Sequence, residues 1–351
     1  MSVSQKDRSG LVEVVDDIEA INALYRERQW GDGLPVIPPT RERVERMLAG
    51  TQRAHDEVVA EVAPGFGVAT VQQIAVNAVL AGCEASHMPV LIAAVEAISA
   101  PEFNLQAVST TTNAATAWVI VNGPVAQKLG MNSGLNCLGQ GNWANATIGR
   151  AVHLIMQNIG HALPGEMDRA TQGQPGKFTF CCSENEAASP WMPLHVERGF
   201  KSEQSTVTVV GASGTLNMLC HEKDAMDLLR VIADSMIYPA SNDYWCGGAP
   251  WLVLGPEHAD ILHLAGLSKA DVKALLWEKT KMQASRRSIK DLARTRDARS
   301  AELGEIGLDT LLPISPTPDE IGILVAGGPG THSVYVPTFG NTRSVTRVIE
   351  L

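Results

Sequence analysis

The chain has 351 residues, of which 45% are hydrophobic and 19% are charged, a composition typical of a globular protein with a large buried core. Its formal net charge of −10 argues against binding to a nucleic acid or to an anionic membrane surface, because both partners need a basic face. A small anionic ligand is compatible with this charge, since a local site can be positive.

No segment reaches the roughly 20 apolar residues of a membrane span, and the N-terminal string MSVSQKDRSG lacks the apolar core of a signal peptide. We therefore expect a cytoplasmic protein whose cysteines are reduced thiols. No two cysteines have the CxxC spacing of a zinc or redox motif. The six cysteines are Cys83, Cys137, Cys181, Cys182, Cys220 and Cys246.

The first hundred or so residues of the chain predict short elements separated by ordered breaks. The strip from Trp30 to Thr40 is rich in glycine and proline, which is typical of an extended segment, and Thr40 is a suitable N-cap for the helix that follows. Apolar spacing supports the remaining elements. The predicted helices are 16–28, 41–48, 71–83 and 89–98, and the predicted strand is 58–62.

Beyond residue 115, short apolar runs stop at glycine or proline and are followed by helical spacing. This recurrence predicts an α/β fold with mixed or mostly parallel sheets covered by helices. We expect a single unit over residues 1–351, with a subdivision into halves 1–200 and 201–351 as the alternative, and the sequence shows no internal repeat. The predicted strands are 118–122, 206–210, 251–254 and 322–326, the predicted helices are 148–159, 224–236, 258–264 and 269–281, and segment 284–303 is predicted to be a solvated helix face or flap.

The loop 132–145, NSGLNCLGQGNWAN, leads directly into a helix and is the main binding motif. Glycines let a backbone approach a ligand closely, and a helix N-terminus offers N–H groups to a carboxylate or phosphate. A structural turn is the alternative. The GxGxxA spacing resembles a dinucleotide fingerprint, but no strand runs directly into it. The substrate-binding candidates in the loop are Asn132, Asn136, Gly139, Gly141 and Asn145.

The hydroxyl-rich turn 109–113, STTTN, is a second binding candidate. The side chains of Thr111 and Thr112 can hold a carboxylate, or the same residues can cap a helix. The sequence leaves both interpretations open.

Segment 181–198 gathers carboxylates, thiols, a histidine and an arginine. Glu184 and Glu186 are two residues apart, so in an extended segment both side chains point to one side. A close carboxylate pair raises the pKa of one member and provides a general acid beside a base, with His195 downstream as a further candidate. The alternative is a surface loop with solvated acids.

Cys83 falls at the break between two predicted helices, near His87. A helix N-terminus can stabilise a thiolate there, which makes Cys83 a candidate nucleophile, whereas a buried cysteine is otherwise a small hydrophobic residue. The nine histidines show no metal-ligand spacing. We therefore predict no cofactor and assign no metal ligands, without excluding a metal.

Several separate strings resemble the large domain of the bacterial UGSC (seleno)protein family, which is named for a Sec/Cys-Gly-Ser-Cys motif on another module. The resemblance covers residues 30–347, but the chain itself contains no Cys-Gly-Ser-Cys string. It implies a shared site near Cys83, 132–145 and 184–197, and it implies that a partner chain supplies the redox motif if that motif is catalytic. The strings are WGDGLPVIPPT, GCEASHMPV, NSGLNCLGQGNWANATIGRA, PGKFTFCCSENEAASPWMPLHVERGF, LGPEHADIL, GLSKADVKALLWE and GGPGTHSVYVPTFGNTRSVTR.

These motifs predict an enzyme that acts on a small carboxylate- or amide-bearing molecule by acid–base lyase or hydrolase chemistry, with Cys83 as nucleophile in a thiol-assisted version. The prediction requires Asn136, Glu184 and Cys83 to converge on one hollow. The alternatives are a thiol-redox component that works with a separate Sec/Cys-Gly-Ser-Cys module through Cys83, Cys182 or Cys246, and a non-catalytic small-molecule-binding subunit. We expect a homo-oligomer, the usual state of such enzymes.

Overall fold

The structure, a computed structural model, describes residues 11–351, so the polar string MSVSQKDRSG lies outside the described residues. Its helices and mixed sheets confirm the predicted α/β class. The α-helices are α1 Ile18–Glu27, α2 Arg41–Leu48, α3 Val71–Ala81, α4 Met88–Ile98, α5 Leu105–Thr110, α6 Pro124–Lys128, α7 Trp143–Asn158, α8 Leu194–Glu197, α9 Ala225–Met236, α10 Asn242–Cys246, α11 Pro256–Leu264, α12 Lys269–Lys279 and α13 Ile289–Leu303. The strands are β1 Val58–Val62, β2 Gly67–Thr70, β3 Thr116–Asn122, β4 Cys181–Ser183, β5 Thr206–Ala212, β6 Leu216–Leu219, β7 Trp251–Leu254, β8 Met282–Gln283, β9 Leu311–Leu312, β10 Gly322–Val325, β11 His332–Val336 and β12 Val345–Val348.

Two four-stranded sheets of matching topology form the centre of the molecule. The first has the order β12-β5-β3-β4 and the second the order β6-β11-β7-β10. In the first sheet, the parallel pair β3–β4 continues through antiparallel β5 and β12. In the second, the parallel pair β7–β10 continues through antiparallel β11 and β6. The two sheets therefore share one pattern of parallel and antiparallel pairing, although the chain forms the equivalent strands in a different order.

The two sheets face each other, and helices cover their outer faces. In β3, Val119 and Val121 meet α3, α4 and α7, whereas Trp118 and Ile120 meet the second sheet, as the alternation of a pleated strand requires. The rings of Trp118 and Trp251 meet edge to face across the gap, with centroids 5.8 Å apart. The layers are therefore helix, sheet, sheet, helix.

Two chain segments, 206–219 and 332–348, run antiparallel through both sheets, and we call this pair the crossing ribbon. It pairs β5 with β12 in the first sheet and β6 with β11 in the second. Between these pairings, Ala212 bridges Thr338, and Ser213 N donates to Pro337 O at 2.8 Å. The first sheet consequently takes strands from both sides of residue 200.

Local caps explain where several elements begin. The helix predicted from residue 148 begins earlier, at Trp143, because the side chain of Asn142 accepts from Asn145 N. Thr70 and Gln73 form a capping box at the start of α3. Within residues 11–351, no single helix has the length and apolar composition needed to cross a bilayer. The bent helix pair Ala85–Ile98 and Pro101–Thr110 reaches that length and composition only when its two parts are counted together.

Candidate functional site

The parallel strands β3 and β4 end side by side, at Asn122 and just before Glu184. Along β4, Cys181 contacts the helix-side core and Cys182 the core between the sheets, so the pleat places Glu184 on the inter-sheet face. Asn122 lies on the same face as Trp118. The ends of the two strands therefore bring an amide and a carboxyl together.

Glu184 is buried and firmly held. Its Oε2 accepts hydrogen bonds from Asn122 Nδ2 at 2.5 Å and from Leu194 N at 2.7 Å, and its side chain is 0% exposed. Burial raises the pKa of Glu184 above its usual value, although Lys269, Leu194 N–H and Asn122 oppose this shift. The carboxyl therefore retains a proton more readily than an exposed glutamate does.

Glu186 binds the same amide and is the more accessible carboxylate. Its Oε1 accepts from Gly123 N at 2.7 Å and from Asn122 Nδ2 at 3.1 Å, and it lies 3.9 Å from His195 Nδ1. The side chain of Glu186 is 25% exposed, against 1% for His195. Both predicted carboxylates therefore accept a hydrogen bond from Asn122 Nδ2, and His195 lies beside Glu186, the more exposed of the two.

Lys269, at the start of α12, lies beside both Glu184 and Glu197. Its Nζ donates to Met192 O at 2.9 Å and to Glu197 Oε2 at 3.2 Å, and it lies 3.7 Å from Glu184 Oε1. Burial by itself would raise the pKa of Glu197, but Lys269 and Lys273 together lower it. Glu197 is therefore the main partner of Lys269, and Glu184 is left as the carboxyl with a raised pKa.

Three polar atoms of this group are buried without a hydrogen-bond partner anywhere in the described part of the chain: Asn122 Oδ1, Glu184 Oε1 and His195 Nδ1. Buried polar atoms are nearly always paired, and each unpaired one costs about 1–3 kcal/mol. His195 Nε2 lies 3.5 Å from the carbonyl of Ser202, which can only accept, so this contact favours the tautomer with the hydrogen on Nε2 and a lone pair on Nδ1. We call Asn122, Glu184, Glu186, His195 and Lys269 the carboxylate centre; three of its buried polar atoms have no hydrogen-bond partner among the described residues.

The asparagines of the loop 132–145 use their side chains to fold the loop itself. Asn145 Oδ1 accepts from Asn132 N, and its Nδ2 donates to Asn132 O and Cys137 O. Asn132 and Asn136 bond to loop carbonyls in the same way. A Cβ on Gly139 would lie 2.3 Å from Asn136 Oδ1 and would displace that side chain, and Gly141 has φ +112°, a conformation that favours glycine.

The loop and the carboxylate centre meet at the end of β10. Gly327 N donates to Ser133 O at 2.8 Å, and Asn185 N, next to Glu184, donates to Val325 O at 2.8 Å. The structure therefore brings together two of the three segments that the sequence predicted to converge.

Cys83 lies elsewhere. Its Sγ donates to Thr147 O at 3.3 Å, and the side chain packs in the core between the first sheet and its helices, on the opposite face from Glu184. Burial raises the pKa of Cys83 to about 12, and it also raises the pKa of Cys182 and of Cys246. Since the thiolate is the reactive form, the surroundings of these thiols do not favour a nucleophilic or redox role.

Thr111 and Thr112 are also remote from the carboxylate centre. They follow the end of α5, where Thr111 Oγ1 accepts from Asn113 N and Thr112 O accepts from Thr171 N. This turn lies near the beginning of β3, whereas Asn122 ends that strand.

Sequence reasoning missed Asn122 and Lys269. Asn122 did leave a signal, because it is the polar residue that ends an apolar strand before Gly123 and Pro124. Lys269 left no such signal in the sequence, since it reaches the carboxylate centre from a helix of the second half of the chain.

Within residues 11–351, no three His, Cys, Asp or Glu side chains gather closely enough to hold a metal ion. No protein-family model matches the chain, and no curated protein matches it.

Proposed function

We propose that the protein is an enzyme that acts on a small organic acid or amide by acid–base chemistry, as a lyase or hydrolase, at the carboxylate centre. The observation that carries this proposal is the set of three unpaired buried atoms, Asn122 Oδ1, Glu184 Oε1 and His195 Nδ1, beside two carboxylates in different environments. A polar group of a substrate would complete these hydrogen bonds.

The two carboxylates differ in the way that acid–base catalysis requires. Glu184 is the general acid in this proposal, because burial raises its pKa. His195 Nδ1 is the base, and Glu186, whose Oε1 lies 3.9 Å away, stabilises the imidazolium that forms. Glu186 also marks the side from which substrate enters, since its side chain is 25% exposed.

We assign substrate binding to the backbone of the loop 132–145. The N–H groups of Leu135 and Asn136 donate to no acceptor among residues 11–351, and the loop is joined to the centre through Gly327. These N–H groups are the donors that we assign to a substrate carboxylate. The same blocks carry the resemblance to the UGSC large domain, and we infer a distant relationship to that family.

The test begins with a thermal-shift screen of small carboxylates and amides, followed by mass spectrometry to detect products. For a compound that is turned over, Glu184→Gln should abolish turnover because the proton donor is lost. The fold should be retained, since the glutamine oxygen can still accept from Asn122 Nδ2 and Leu194 N.

Glu203→Gln is the matched control, because Glu203 is an exposed carboxylate on the same stretch of chain. It should leave both turnover and melting temperature unchanged. Wild-type turnover in a folded Glu184→Gln protein, or a screen in which no compound is converted, would contradict the proposal.

A further inference from the structure

A cavity of about 160 Å³ lies at the other end of β3 from the carboxylate centre. The start of β3, one face of α7 and the segment 162–178 form its walls. β3 has 7 residues, so at about 3.3 Å per residue its two ends are about 20 Å apart. A cavity of about 150 Å³ holds one benzene molecule, which makes this one large enough for a single ring.

Thr116 and His153 form a neutral pair in the wall. His153 Nδ1 lies 2.8 Å from Gly149 O, which can only accept, so Nδ1 carries the ring hydrogen. His153 Nε2 therefore accepts from the Thr116 hydroxyl at 2.7 Å. Because the hydroxyl hydrogen of Thr116 is used in this bond, Thr116 Oγ1 can only accept a hydrogen bond from a ligand.

Ser109 supplies the complementary donor. The residue is 4% exposed and lines the cavity, and its Oγ has no hydrogen-bond partner in the part of the chain that the structure describes. Its hydroxyl hydrogen is therefore free for a ligand. Together, Ser109 and Thr116 offer one donor and one acceptor.

The charged groups at the cavity are already compensated. Asp32 accepts two hydrogen bonds from Arg150, at 2.7 and 2.9 Å, and Lys177 pairs with Asp168. The remaining wall is largely apolar, including Val108, Met156 and Phe178. A charged ligand would enter this wall without a counter-ion, which is unfavourable.

We propose that this cavity binds a small neutral molecule with one hydroxyl group on an apolar ring. The hydroxyl accepts from Ser109 and donates to Thr116 Oγ1, while the ring contacts the apolar wall. This site is separate from the carboxylate centre and does not depend on its proposed chemistry.

The test is isothermal titration of the full chain with phenol, toluene and benzoate, which share one ring. Phenol should bind about 30-fold more tightly than toluene, the value of two net hydrogen bonds, and benzoate should not bind measurably. Ser109→Ala should reduce the preference for phenol to about fivefold, because only the hydrogen bond to Thr116 Oγ1 remains. Ser99→Ala is the matched control, because Ser99 Oγ is also buried and unpaired but lies outside the cavity wall.

A further variant tests the location. Ala162→Trp places a large ring in the cavity from a half-buried position and should abolish phenol binding. Undetectable phenol binding to the wild type, equal binding of benzoate, or an unchanged preference in Ser109→Ala would each overturn the proposal. Full phenol binding in a folded Ala162→Trp protein would show that phenol does not bind in this cavity. If that variant does not fold, the result for Ser109→Ala is the test of the proposal.

Discussion

His153 shows how burial fixes the protonation state of a single residue. Both of its ring nitrogens are bonded, one to Gly149 O and one to the Thr116 hydroxyl. Burial lowers the pKa of His153 to about 4, and a carbonyl and a hydroxyl cannot provide the negative partner that an imidazolium needs. The neutral ring is therefore part of the folded state.

This neutrality predicts a dependence of stability on pH. Below about pH 6.5 the unfolded chain binds a proton at His153 that the folded protein does not bind until about pH 4, so the free energy of unfolding falls as pH is lowered through this range. The full effect is about 3 kcal/mol, and the stability is retained above pH 6.5. Denaturant unfolding at several pH values should show a shallower pH dependence for His153→Gln. Equal slopes in both proteins would disprove the assignment.

Residues close together in sequence were the ones that sequence analysis could pair. Glu184 and Glu186 were paired correctly because a strand-like spacing of two residues needs no tertiary information. Asn122 and Lys269 join them from distant parts of the chain, and the position of Cys83 behind the first sheet depends on how α3 and α7 pack. Such long-range placements are not encoded in local spacing.

At the scale of the element, the loop 132–145 depends on one amide. Asn145 is 3% exposed and makes three hydrogen bonds, to Asn132 N, Asn132 O and Cys137 O. Asn145→Ala would leave those backbone groups unpaired, so we expect a loss of stability on the order of 2 kcal/mol or more. Urea unfolding measures this loss, and hydrogen exchange should become faster in 132–139.

Gln140→Ala is the control for that prediction, because Gln140 is exposed in the same loop. It should change the free energy of unfolding by no more than about 0.5 kcal/mol. Equal effects of the two substitutions would show that Asn145 does not hold the loop.

Element prediction succeeded where a strand is buried on both faces. The apolar run of β7 was predicted with its observed bounds, and β3 and β5 are buried along their whole length. The sequence predicted no strand at β4, β6, β11 or β12, because each of these short strands contains polar residues and none is a continuous apolar run. The helix α13 occupies the charged segment 284–303 that was expected to be a solvated helix face or flap.

At the scale of the whole molecule, the core between the sheets links the two four-stranded sheets. Trp251 is 0% exposed and meets Trp118 across the gap, so Trp251→Ala should cost about 3–5 kcal/mol. Because both sheets share this core, we expect a single unfolding transition, with faster hydrogen exchange in both β3 and β10.

Trp143→Ala provides the comparison for this prediction, since Trp143 is 63% exposed on α7. Its effect on the free energy of unfolding should be small. Two separate transitions in Trp251→Ala, or faster exchange confined to the second sheet, would show that the sheets unfold independently.

The crossing ribbon has a consequence for synthesis on the ribosome. β5 is made early, but its neighbour β12 appears only after every strand of the second sheet has been translated. Until then β5 presents an open hydrogen-bonding edge, which other strands can occupy wrongly. A nascent chain halted within residues 213–344 therefore has an unfinished first sheet and should need protection from aggregation.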